Sequence, residues 1–89
     1  MYKYEEVKPA IFTEAGQRMF LEIRDQAIRK ARIAGAVSME AATEGICGDS
    51  WNQLACVDRL VELGELLEIP QEDCAGQHRI FVLTHRLPY

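Results

Sequence analysis

One change of pattern constrains this 89-residue chain more than any other: at Gly64 the apolar spacing switches from helical to extended. Before Gly64, apolar side chains recur at three- and four-residue steps. After it, Leu66-Leu67-Glu68-Ile69 and Arg79-Ile80-Phe81-Val82-Leu83-Thr84 are short runs rich in strand formers. The polar stretch 70–77 between them is too long for a tight turn, so the two runs are expected to pair as a hairpin around a loop. A chain of this length makes one domain, and the helices and the hairpin must therefore share one core.

The helical part divides at its glycines. Thr13 is a natural N-cap, with Glu14 favourably placed in the first turn. From Glu14 to about Ala34, the residues Phe20, Ile23, Ala27, Ala31 and Ala34 fall on one face. Arg29, Lys30 and Arg32 crowd the last turn, opposite the negative end of the helix dipole, and Gly35 stops the helix. Ser38 is expected to cap a second, short helix over residues 39–44, ending at Gly45. Asp49 or Ser50 then caps a third helix running to about Leu63, with Leu54, Val57, Leu60 and Val61 on its buried face. Residues 1–12 show little periodicity, and Pro9 interrupts any regular helix there. Tyr2, Tyr4, Val7, Ile11 and Phe12 suit an arm that packs across the domain or forms a dimer contact.

Composition narrows the function classes. A hydrophobic share of 48% and a charged share of 27% fit a folded soluble domain. No apolar run approaches the roughly 20 residues that cross a bilayer. The opening residues lack the apolar stretch of a secretory signal, so cytoplasmic residence is the expectation. The three cysteines, Cys47, Cys56 and Cys74, have no regular spacing and read as reduced thiols. Cys74, His78 and His85 invite a zinc reading, but no paired C-x-x-C accompanies them, and no metal or other cofactor is expected. Asp49-Ser50 reads as a cap, and neither histidine has a nucleophile nearby in sequence. Gly45 and Gly48 punctuate a turn and make no phosphate loop. An enzyme is not expected.

The order helix, short helix, helix, hairpin is that of a helix-turn-helix followed by a β-wing. The stretch VSMEAATEGICGDSWNQLACVDRLVELGELLEIP, closed by HRIFVLT, resembles winged-helix regulators of the MarR and ArsR type. Within DRLVELGELLEI, Leu60, Gly64, Leu66 and Leu67 stand where that superfamily places the end of its recognition helix and the strand after it. The resemblance covers about residues 36–84, with Glu14–Ala34 as the preceding helix. It implies an α+β winged helix of three helices and a hairpin wing over 13–89, preceded by an N-terminal arm over 1–12. The long dimerisation helices of full MarR regulators have no counterpart here, so a homodimer would form through the first long helix or the arm.

The resemblance also implies a double-stranded DNA partner read by the third helix, in a transcription regulator. Ser50, Asn52 and Gln53 have side chains able to read bases, and Arg59 is able to hold a phosphate or a guanine. Charge opposes this reading. Over residues 35–76, nine acids (Glu40, Glu44, Asp49, Asp58, Glu62, Glu65, Glu68, Glu72 and Asp73) face one base, Arg59, for a balance of −8. The whole chain carries −4, whereas affinity for the phosphate backbone needs several bases on the approaching surface. The basic residues of the first long helix read as a solvated face with intrahelical ion pairs.

The alternative is an acidic winged-helix module, or inhibitor, that binds a protein with a basic surface. Its contact residues would be Trp51, Asn52, Cys56 and Glu62, with the tryptophan as anchor. The bland reading of Trp51 is a cap on the core beneath the turn before the third helix.

Overall fold

Helix α2, Glu14–Ala34, starts where its first free donor is answered: Thr13 Oγ1 accepts from the Gly16 N–H at 3.0 Å. The same hydroxyl donates to the Ala10 carbonyl at 2.9 Å, and Gln17 Nε2 donates to the Ile11 carbonyl at 2.8 Å. Both bonds tie the helix to the segment before it. That segment is not the irregular arm its sequence suggests. It forms a one-turn helix α1, Tyr4–Val7, and a 3-10 helix, Lys8–Phe12. Pro9 sits in the first turn of the 3-10 helix, where its missing N–H costs nothing.

The computed structural model describes residues 1–70 and 78–84. After α2 come β1 (Val37–Ser38), α3 (Met39–Thr43), α4 (Ser50–Glu62), β2 (Leu66–Ile69) and β3 (Ile80–Leu83). The fold is α+β, with four α-helices and one antiparallel sheet of order β1-β3-β2 among the described residues. Leu66 pairs with Leu83 and Ile69 with Ile80, so the hairpin expected from sequence is present, while residues 71–77 of its loop lie outside the described residues. Strand β1 was not expected, because two residues carry no period. Long-range pairing creates it: Val37 opposes Phe81 and Ser38 opposes Ile80. The Met39 N–H extends this ladder to the Arg79 carbonyl at 2.8 Å.

The caps fall largely where the sequence puts them. Ser38 accepts from the Ala41 N–H, and Asp49, not Ser50, caps α4 by accepting from the Trp51 and Asn52 N–H groups. Gly35 and Gly64 hold φ of 87° and 81°, the left-handed conformation that lets the chain turn off α2 and α4. Lys30 differs from its expected role at its own helix end. Its Nζ donates to the Ala41 carbonyl at 2.8 Å, and Gln26 Nε2 donates to the carbonyls of Ala41, Ala42 and Glu44. The two side chains of α2 thus answer the open carbonyls at the end of α3.

Ile23, Ala27 and Ala31 of α2, Met39 and Ala42 of α3, Leu66 and Phe81 build the centre of the core, with Ile11 added from the 3-10 helix. Helix α4 contributes Val57 and Leu60 as expected, but also Ala55 and Cys56, each at most 1% exposed. Leu54 and Val61 are only partly buried. Among the described residues no helix is long and apolar enough to cross a membrane, and no group of three His, Cys, Asp or Glu is placed to hold a metal ion. Cys74 and His85, weighed above as zinc ligands, lie outside the described residues.

Candidate interaction surface on helix α4

Helix α4 has two packed sides. One meets α2 and the sheet, and the N-terminal segment covers the other. Tyr2 Oη donates to Asp58 at 2.6 Å, Tyr4 Oη donates to Glu62 at 2.6 Å, and Lys8 Nζ reaches Glu62 at 2.9 Å. Arg59 donates to Glu62 at 2.8 Å and places its guanidinium 5.3 Å from the centre of the Phe12 ring. The Tyr2 ring meets Trp51 edge-on, with centroids 6.2 Å apart. On a helical wheel Ala55 lies among Trp51, Asp58, Arg59 and Glu62, and it is fully buried. Its methyl is small enough to let the arm lie close.

The residues expected to read DNA therefore part company. Ser50 is exposed and Asn52 half-buried in the first turn. Gln53 Nε2 instead donates to the Ile46 carbonyl at 2.6 Å, bracing the turn before the helix. Arg59 is held between Glu62 and Phe12. Among the residues of the protein-binding alternative, Trp51 is 45% exposed, which corrects the reading of it as a core cap. Cys56 is corrected in the opposite direction. It faces the core at 1% exposure, and burial pushes its thiol up to about 11, so it offers nothing to a surface contact. Glu62 is on the surface as expected, but it is the hub that holds the arm.

The charges around this hub are shifted by their contacts. Hydrogen bonds from Tyr4, Lys8 and Arg59 lower the Glu62 carboxyl to about 2. Burial, reinforced by the hydrogen bond to Asp58, raises the Tyr2 phenol, and burial with the bond to Glu62 raises that of Tyr4. A carboxyl depressed in the fold contributes stability that is present above its ordinary value of 4.5 and lost as pH falls toward 2. A phenol raised in the fold contributes stability present below 10 and lost as pH climbs above it. The arm is thus expected to be held from about pH 5 to pH 10 and to loosen on either side. The emission of Trp51, the chain's one tryptophan, followed from pH 7 to pH 2 in the wild type and in Glu62→Gln, checks the acid limb. Coinciding curves would remove Glu62 as its cause.

A second acidic knot lies beside the first. Arg79, just before β3, donates to Asp58 at 2.6 Å and to both oxygens of Glu68 at 2.8 Å. Its guanidinium also lies 5.2 Å from the Phe81 ring centre. Hydrogen bonding from Arg79 lowers the Glu68 carboxyl, and the same bonds raise Arg79 further. Asp58 thereby joins the arm, α4 and the hairpin. Sequence reasoning missed this junction, because Tyr2 and Asp58 stand 56 residues apart and no local period links them. Glu72 and Asp73, two of the nine acids counted over residues 35–76, lie outside the described residues.

What stays open is the first turn of α4 and the cleft beside it. Glu6, Val7 and Ala10 of the arm, the N-cap Asp49, and Trp51 and Asn52 of α4 line a shallow surface cleft of about 480 Å³ that is largely open to solvent. No protein-family model, no curated protein and no solved structure matches the chain.

Proposed function

We propose that this chain is a small acidic winged-helix domain that binds another protein through the first turn of α4 and the adjoining arm. The winged-helix reading is supported by the order α2, β1, α3, α4, β2, β3, with β1 lying beside β3 and β2 paired to β3 as a hairpin. One observation favours a protein over DNA as partner. Residues 2–12 cover the outer side of α4 at Asp58 and Glu62, and the helix's single base, Arg59, is paired to Glu62, so α4 brings no unpaired cation to the phosphates beside its open first turn.

Random duplex DNA at low salt provides the test. No binding is expected at tens of micromolar protein, where a regulator binds at micromolar or tighter and loses affinity steeply with salt. Micromolar, salt-sensitive binding would overturn the proposal. In a pull-down, Trp51→Ala is expected to lose the partner with little change in the thermal transition, since the indole is nearly half exposed.

A further inference from the structure

We propose that the cleft between the arm and the first turn of α4 receives an arginine side chain presented by a protein partner. The inference rests on the protein-binding reading above and names the chemistry of its contact. The cleft has the three parts an arginine requires. Val7 and Ala10 give an apolar floor for the methylene stem. Trp51 gives an indole surface, and Tyr2, itself bonded to Asp58, packs edge-on against it. Tryptophan is the strongest aromatic partner for a cation.

The rim supplies acceptors without partners of their own. Glu6 makes no side-chain hydrogen bond or ion pair among the described residues, and neither does the Asn52 side-chain amide. Asp49 uses Oδ1 for the Trp51 and Asn52 N–H groups, which answers the positive end of α4, and its Oδ2 has no partner among the described residues. A cation is thus met by two carboxylates and one carbonyl around an aromatic surface. Arginine fits better than lysine, because a planar guanidinium stacks on the indole while its in-plane donors reach the rim. The excess of acid over this half of the chain would draw such a partner in.

The probe is the capped tripeptide acetyl-Gly-Arg-Gly-amide, titrated into the full chain while the emission of Trp51 and the amide signals of residues 6–10 and 49–52 are followed. Saturable binding in the millimolar range is expected at those signals, with the lysine tripeptide weaker and the isosteric, uncharged citrulline tripeptide about tenfold weaker. Glu6→Gln, an exposed substitution that leaves the fold intact, is expected to weaken the arginine peptide about fivefold. Equal binding of citrulline, equal binding of lysine, no effect of Glu6→Gln, or signals that move elsewhere would each overturn the proposal. If the arginine peptide fails while Trp51→Ala still abolishes a pull-down, the cleft chemistry is wrong and the protein-binding reading stands. Micromolar binding of duplex DNA removes that reading whatever the peptide does.

Discussion

Replacing Gly16 with alanine is expected to destabilise the domain by about 3 kcal/mol, although the same change inside a helix ordinarily stabilises by about 1 kcal/mol. The reversal comes from one close approach. A Cβ on Gly16 would overlap the Ala10 carbonyl oxygen and lie 2.8 Å from Ile11 Cα and carbonyl carbon. All three are backbone atoms, so no side-chain rotation relieves the overlap, and the 3-10 helix must lift. Lifting it withdraws Ile11, 1% exposed, from the core and strains the bonds from Thr13 and Gln17. Urea unfolding should show a lower midpoint, and the thermal midpoint should fall by roughly 15 °C for a domain of this size. A more stable variant would mean that the arm does not lie against α2 as described. Trp51 emission in the same variant reports whether the arm has also left α4.

The second large effect is expected at Arg79. Its guanidinium stands between Asp58 and Glu68, with Arg79 and Asp58 side chains 17% and 15% exposed and Glu68 37% exposed. Removing one partner of a buried pair costs about 3–5 kcal/mol, because a charge is left without compensation. Residual solvent access around Glu68 reduces this, and about 2 kcal/mol is expected for Arg79→Ala at neutral pH. The pH dependence identifies the cause. Glu68 is depressed by Arg79, so its contribution exists above the ordinary carboxylate value and vanishes as pH falls through its lower folded one. The stability gap between wild type and variant should therefore narrow as pH is lowered from 7 toward 3. A gap that stays constant would assign the loss to packing against Phe81 alone, and a variant as stable as wild type would show the knot to be ornamental.

These two substitutions probe the same architectural point from opposite ends. Gly16 lets the arm reach α4, and the Arg79 knot holds α4, the arm and the hairpin at Asp58. If both behave as expected, the outer side of α4 is part of the fold. A protein partner of the kind proposed would then approach at the first turn, where Ser50, Trp51 and Asn52 remain accessible, and not along the length of the helix.

Much of the scaffold was legible without coordinates. The period of Phe20, Ile23, Ala27 and Ala31 marks α2. Thr13, Ser38 and Asp49 mark the helix starts, and the switch at Gly64 marks the hairpin. Each is a local signal, set by hydrogen-bond geometry and residue spacing within a few turns. The candidate site was legible only in part. For Trp51 the sequence leaves a core cap and an interface anchor both open, and only the fold exposes it. Gln53 and Arg59 read as ligand contacts, but the fold itself engages them.

Sequence by itself pointed to one small α+β unit with an acidic second half and a tryptophan at the start of a helix, on the boundary between its buried and exposed faces. Only the tertiary structure decided which side of that helix is free. The decision depends on contacts between residues 2–12 and 51–62, whose separation of about fifty residues leaves no period or motif to read. It also depends on the small volumes of Gly16 and Ala55, whose meaning emerges only when another segment is laid against them.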